Sequence, residues 1–375
     1  MNEGDRVRIV GIVEVIDIVS KSGKKTTTQI KKIKGVSIEK LNDDYTKVFI
    51  NKEDEKEFKQ ISENPIKWHN KVLFSDLNDV ATQTKMGILS LYGDLNLLSV
   101  GGYGKGKSEI IKRVCKVSLR GKFVDCIGAT YSGVIGTVGK NQFTNKYSLD
   151  GGVFRPMNPN GKVGLDELNR DMDFNIQKAI LGVMANRRLN VHKANTRVDV
   201  ECKVSIFASV NPFLPDGYDK NRTAHENFNI LAPLWDRFDF IVYFCNNPDF
   251  SDVELVTKFL KDSKEVFEID DKNLRLIKKY QIKAQLIKVK FDDKSYKKLT
   301  KVFNEFFTKV DGKASYRKIS TMKRLLEAIC RLHHRDKPIE KDFVFMTNLI
   351  SELAMVKSEF LSLQDNFTKE TEDVK

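Results

Sequence analysis

The run Leu95-Asn96-Leu97-Leu98-Ser99-Val100-Gly101-Gly102-Tyr103-Gly104-Lys105-Gly106-Lys107-Ser108 decides how the rest of the chain is read. A short apolar strand passes into the pattern GxxxxGK[ST], and a helix-forming segment, Glu109 to Leu119, follows at once. That context gives the pattern its meaning. Glycines let backbone N–H groups wrap phosphates, and the helix N-terminus adds positive potential. The expected nucleotide contacts are Gly101, Gly104, Lys105, Gly106, Lys107, Ser108 and Glu109. Lys107 is expected to reach the β- and γ-phosphates and Ser108 to hold Mg²⁺, with ATP as the nucleotide. Such a loop reads phosphates and leaves the base open.

Downstream the pattern keeps alternating. Strands are expected at Phe123 to Ile127, Val163 to Leu165, Val204 to Ser209 and Phe238 to Phe244. With helices between them they imply a parallel sheet covered on both faces, an α/β fold. Val163-Gly164-Leu165 ends in Asp166 and Glu167. An aspartate that places a metal beside a glutamate that orients water suits hydrolysis. Asp166 therefore joins Ser108 as an expected metal ligand. Asn211 ends the next strand, at the sheet edge where ligands bind in such folds. Arg237, between Asp236 and Asp239, reads by itself as a surface ion pair.

Before the sheet, residues 6–17, 30–38 and 46–50 carry β-branched alternation around a turn at 22–25, so a small β unit is expected over 1–50. Residues 51–85 read as a linker carrying one polar helix, capped by Asn51 and ended by Pro65. The α/β core spans 86–250. Residues 251–365 read as helices, with stripes at Tyr296, Leu299, Val302, Phe303, Phe306, Phe307 and at Ile319, Met322, Leu326, Ile329, before a polar tail at 366–375.

The 375 residues suffice for two or three domains, and no run has the apolar length to span a bilayer. The N-terminus lacks a signal-peptide pattern. Five scattered cysteines form no CxxC pair, so reduced, buried thiols are expected and no zinc site. The net charge of +13 fits a polyanionic partner, and it fits a lysine-rich solvated surface equally well.

The motifs, in this order and spacing, resemble the motor domain of minichromosome maintenance (MCM) helicases. Ala179-Ile180, Val183-Met184 and Val191-His192-Lys193-Ala194 look like the family's helix and pre-sensor hairpin, and its DNA-contacting lysine maps onto Lys193. Ser205 to Pro212 resembles the strand bearing the sensor-one asparagine, mapped onto Asn211. Leu234 to Asp239 resembles the arginine-finger segment, mapped onto Arg237. Arg317 with Arg324, Leu325 and Glu327-Ala328 looks like the sensor-two helix. Tyr131 to Phe154 corresponds to the helix-two insertion, and Gly4 to Ile12 resembles the last part of an OB-fold.

The resemblance implies an AAA+ P-loop fold with a helical lid, preceded by a partial OB-like β unit. It implies an ATP-dependent helicase or translocase that acts in DNA replication as a homo-hexamer on single-stranded or forked DNA, with other replication proteins as further partners. Lys107, Asp166, Glu167 and Asn211 would act from one subunit, Arg237 and Arg317 from its neighbour. Arg188, Lys193 and Arg197, which flank or lie on a hairpin with its tip at Ala194-Asn195-Thr196, would contact DNA; Lys140 and Lys146 are weaker candidates. The expected location is the cytoplasm in a prokaryotic or viral setting and the nucleus in a eukaryotic one.

Departures from the family pattern are Gly102-Tyr103 for its Asp-Pro, and Asn169-Arg170-Asp171 for its Asp-Lys-Met. The family's zinc ribbon, first OB strands and winged helix have no counterpart. Two alternatives stand beside the helicase: a catalytically degenerate MCM-like protein that binds ATP and DNA, and a MoxR- or chelatase-like remodeller.

Overall fold

The computed structural model describes residues 7–19, 25–40, 50–77, 80–140, 147–170, 173–193, 196–213, 219, 221–245, 268–306 and 316–372. The chain divides into two compact units, Met1–Lys47 and Val48–Lys375. In the first, β1 (Val7–Val19) and β2 (Lys25–Lys40) pair antiparallel as a hairpin. The register steps between Val10↔Ser37 and Gly11↔Gly35, which leaves Val36 as an extra residue that bends the strand. Of the strand expected at 46–50, all but Ile50 lies outside the described residues.

The second unit opens with α1 (Lys52–Glu63). Asn51 caps it as expected: its side chain accepts from Asp54 N at 2.7 Å, and the Asp54 carboxylate accepts from Asn51 N at 2.9 Å. Pro65 follows α1 but also opens α2 (Pro65–Leu73), at the first helical position, where its missing N–H would have no intrahelical partner. The segment read as a linker thus carries α2 and the start of α3 (Ala81–Tyr92). Its polar composition hid a buried stripe of Pro65, His69 and Leu73.

His69 is fully buried. Its Nδ1 lies 2.8 Å from the Pro65 carbonyl and must donate, so Nε2 accepts from the Tyr92 hydroxyl at 2.7 Å. Burial pushes its pKa down from 6.5 to about 4. As pH falls below 6.5 the unfolded chain takes a proton that the folded chain refuses until about 4, so stability is lost across that window. The loss from His69 is at most about 3 kcal/mol. Melting temperature is expected to fall from pH 6.5 to 4. His69→Gln, which keeps a donor and an acceptor, should shrink that fall; an unchanged pH slope would refute the assignment.

The chain then alternates through β3 (Leu97–Gly101), α4 (Lys107–Val117), β4 (Gly121–Asp125), α5 (Tyr131–Val134), β5 (Thr137–Lys140), β6 (Tyr147–Asp150), β7 (Gly161–Asp166), α6 (Phe174–Asn186), β8 (Arg188–Lys193), β9 (Thr196–Glu201), β10 (Val204–Val210), α7 (Ala224–Asn227), α8 (Ala232–Trp235) and β11 (Phe240–Phe244). Five strands form one parallel sheet in the order β11-β3-β10-β7-β4. β3, β7 and β10 are buried at every position, as a sheet covered on both faces requires. Alternation sorts their side chains into two cores. Leu97, Phe207, Phe240 and Val242 enter one, with α3 and α4; Leu98, Val100, Ile206 and Ala208 enter the other, with α6. Two antiparallel pairs, β5–β6 and β8–β9, stand apart from the sheet.

A helical lid follows: α9 (Asp271–Gln285), α10 (Asp293–Phe306), α11 (Tyr316–Leu332) and α12 (Glu340–Glu372). Leu299 and Val302 are buried, as are Met322, Leu326 and Ile329. Tyr296 and Ile319, placed on the same stripes, are exposed. Each sits in the first turns of its helix, before the packed part begins. Phe307 lies outside the described residues. All five cysteines are buried and free, and burial raises their thiol pKa values. Among the described residues no helix is long and apolar enough to cross a membrane.

Candidate functional site

The expected phosphate loop links β3 to α4. Gly101 leaves the strand at φ 154°, and a Cβ there would lie 2.5 Å from the Phe244 carbonyl, so only glycine lets β3 and β11 close up at this point. Gly106 caps α4 in the left-handed region at φ 80°. The first helical bond runs from Ile110 N to Gly106 O at 3.1 Å. The N–H groups of Lys107, Ser108 and Glu109 therefore lie in the first turn, where helices have no internal partner for them. The Glu109 carboxylate is engaged elsewhere, accepting from Arg113 Nε at 2.7 Å.

Lys107 is buried, and its ammonium donates to the Gly101 carbonyl at 2.9 Å and to that of Gly102. Burial pushes its pKa down to about 8, opposed by the carboxylates of Asp166 and Glu167. Asp166 ends β7 and is level with Asp125 at the end of β4. Its Oδ1 accepts from Ser108 Oγ at 2.9 Å and from Ser209 Oγ. A serine hydroxyl and a carboxylate oxygen this close are the hard oxygen pair that Mg²⁺ prefers, so the residues fit that ion.

Glu167 follows with φ 50°, an uncommon conformation for a non-glycine residue. Its N–H donates to Ser209 Oγ at 3.1 Å, and its Oε1 accepts from Asn211 Nδ2 at 3.1 Å. Burial, with Asp166 and Asp125 nearby, raises its pKa. Asn211 is itself held: its carbonyl accepts from Asn169 Nδ2 at 2.6 Å. The buried Asn211 Oδ1 has no partner among the described residues. Lys107, Ser108, Asp166, Glu167 and Asn211 thus converge at the C-terminal edge of the sheet.

Ser209 and Asn169 were not anticipated. Ser209 could have been found, since it lies two residues before Asn211 and so shares its face of the chain. Asn169 acts through a loop, which no periodicity marks. The two departures from the family pattern meet here: the Arg170 guanidinium lies 5.3 Å over the Tyr103 ring, and its Nε is 3.6 Å from Glu167 Oε2.

Arg237 and Arg317 stand elsewhere. Arg317 donates to the Asp236 carbonyl at 2.9 Å, beside Arg237, whose pKa falls through burial and the charge of Arg317. Among the described residues Arg237 makes no ion pair. Both lie before the start of β11, level with Asn96, since Asp239 N donates to Asn96 O at 2.8 Å. The five residues of β3 separate this edge from the phosphate loop, roughly 13 Å at the usual rise per residue.

In the hairpin β8–β9, Lys193 pairs with Thr196 and His192 with Arg197. The tip residues Ala194 and Asn195 lie outside the described residues. Arg188 is at the other end, with its exposed guanidinium 2.7 Å from Asp199 Oδ1. The hairpin register therefore puts Lys193 and Arg197 near the tip and leaves Arg188 ion-paired at the base. Lys140 closes β5, and Lys146 lies outside the described residues.

A family model described as the MCM P-loop domain matches residues 69–263, just over half of the chain. The chain belongs to the MCM family. Its relatives include the DNA replication licensing factor mcm-6 of Caenorhabditis briggsae, 28% identical over 72% of this chain and 34% of that protein. The DNA replication licensing factor mcm6 of Schizosaccharomyces pombe is 28% identical over 69% of this chain and 30% of its own length. The minichromosome maintenance protein MCM of Saccharolobus solfataricus is 25% identical over 88% of this chain and 50% of its own. This MCM chain spans about a third of the eukaryotic relatives and half of the archaeal one. The sheet order, with the phosphate loop after β3 and the lid after β11, is the AAA+ arrangement expected of the family.

Proposed function

We propose that this chain is an ATP-driven DNA translocase of MCM type, a helicase motor of DNA replication that works as a hexameric ring. The observation that carries this reading is the separation of charges across the sheet. Lys107 and the acidic pair lie at one edge, while Arg237 and Arg317 lie at the other, farther than an arginine side chain reaches. The arginines cannot complete the site of their own chain, but a neighbour in a ring can receive them.

Lys107, Ser108 and the first-turn N–H groups of α4 would bind the ATP phosphates, and Ser108 and Asp166 would hold Mg²⁺. The ion would neutralise charge on the phosphates. Glu167 would take the proton of the attacking water, and Asn211 would orient both. Its Oδ1, without a partner among the described residues, can accept from that water, while its Nδ2 holds Glu167. The carbonyls of Gly101 and Gly102 now accept the donors that Lys107 would turn to phosphate. Hairpin β8–β9, through Lys193 and Arg197, would grip DNA phosphates, contacts that carry no sequence information. The protein would work where DNA is, in a nucleus or among nucleoid DNA.

ATP turnover per chain, measured against protein concentration with and without single-stranded DNA, tests this. Turnover should rise steeply with concentration, because sites are completed between subunits, and should rise again with DNA. Turnover that is independent of concentration, or ATP binding without any turnover, would overturn the reading. DNA binding should also weaken steeply as salt rises. Binding indifferent to salt would point to the remodeller.

A further inference from the structure

At the edge of the sheet opposite the phosphate loop, one half-exposed residue, Asp94, touches both the start of the β8–β9 hairpin and the lid. Arg187 ends α6 in the left-handed region, φ 53°, and β8 begins at the next residue. Its carbonyl accepts from Cys202 N at 2.7 Å, just past the end of β9. Arg187 is therefore the residue from which the hairpin springs, closing it on both strands. Its guanidinium donates to Asp94 Oδ2 at 2.5 Å and to the Val204 carbonyl at 2.5 Å. The other Asp94 oxygen accepts from Ser205 Oγ at 2.8 Å, and Ser205 in turn accepts from the buried Lys162 ammonium at 3.1 Å.

The backbone of Asp94 faces the other way. Its carbonyl accepts from Arg324 Nη1 at 2.6 Å. The same guanidinium holds Asp239, with one bond of 3.0 Å and a second from Nη2. Thr321 adds its hydroxyl to Asp239 at 2.5 Å. Asp239 lies two residues after Arg237, and Arg324 lies two helical turns after Arg317 on α11. Among the described residues, Asp94 thus contacts both Arg187, where the hairpin begins, and Arg324, the lid residue that holds Asp239 close to Arg237.

We propose that Asp94 and Arg187 are positioning residues that couple the β8–β9 hairpin to Arg237 and Arg317, so that nucleotide held between two subunits is felt at the DNA-gripping hairpin. This rests on the reading of the chain as an MCM-type motor. The buried part of the network, Asp239 with Arg324 and Thr321, fixes lid to sheet and is scaffold. The pair Arg187–Asp94 is different. Its carboxylate is half exposed on one side and is tied on the other, through Ser205, to the buried Lys162. A pair that links the start of the hairpin to the lid-binding residue is placed to set their relative position.

The measurement is the affinity of the full chain for single-stranded DNA, with and without a non-hydrolysable ATP analogue. Wild-type affinity should change with the analogue, by about 5–150-fold where such couplings are known. In Asp94→Asn and in Arg187→Gln that ratio should collapse towards one. Analogue binding should stay close to wild type, and Asp94→Glu should restore the ratio. A purely structural role would move the melting temperature and leave the ratio intact. Wild-type coupling that persists in both variants overturns the proposal. A wild type whose DNA affinity ignores the analogue while ATP still binds defeats the motor reading itself, and the proposal falls with it.

Discussion

Glu167→Gln is expected to abolish ATP turnover, by a hundredfold or more on the scale of general-base catalysis (about 10²–10⁴), while leaving ATP binding intact. The substitution removes one charge and one proton acceptor and keeps the shape of the side chain. Asn211 still donates to the amide oxygen, so the loop that places residue 167 keeps its anchor, with the Ser209 hydroxyl on its N–H. Lys107 and Ser108, which would carry the phosphates, are untouched. Binding and chemistry should therefore separate: a fluorescent ATP analogue binds as in wild type, and phosphate release stops. Lys107→Ala should do the opposite, losing binding and turnover together, because the lysine is the charge aimed at the phosphates. Normal phosphate release by Glu167→Gln would show that another group activates the water.

The two variants also mark what could be read from the chain before its fold was known. Glycines at fixed offsets, a strand before them and a helix after them identify the phosphate loop, because local geometry and chemistry coincide there. The acidic pair is legible for the same reason: it ends an apolar strand. The sheet follows from runs such as Val204 to Val210, apolar enough to be buried on both faces. Other parts were silent because they depend on contacts distant in sequence. Ser209 joins Asp166 across 43 positions. Asp94 meets Arg187 across 93 and Arg324 across 230. No period or motif marks such pairs. The helix α2 was missed because its apolar face is completed by a histidine, His69, whose burial depends on Tyr92 and the Pro65 carbonyl. Arg188 was placed beside the hairpin by the resemblance, and its ion pair with Asp199 across the strands is a contact that no motif marks.

Arg237→Ala is expected to reduce turnover by about 10³–10⁵, the range for an arginine that meets transition-state charge on phosphate from a neighbouring subunit. The loss should appear without unfolding. The guanidinium has no carboxylate to leave behind among the described residues, and the backbone around it is held by bonds that do not involve its side chain: Phe238 N to the Trp235 carbonyl, and Asp239 to Asn96. Arg317→Ala should act in the same direction, with some structural cost from its bond to the Asp236 carbonyl. The decisive form of the experiment mixes subunits. Arg237→Ala and Glu167→Gln proteins are each expected to be inactive alone. In a mixed ring, an Arg237→Ala subunit supplies Lys107, Asp166 and Glu167 intact, and a Glu167→Gln neighbour supplies Arg237. One interface in each such pairing then has every group, and part of the turnover should return on mixing. A catalytic group acting within its own chain cannot be rescued in this way. Mixtures that stay inactive, while still assembling, would therefore place Arg237 outside the shared site. Recovery would put the boundary between two copies of this chain through the middle of one active site.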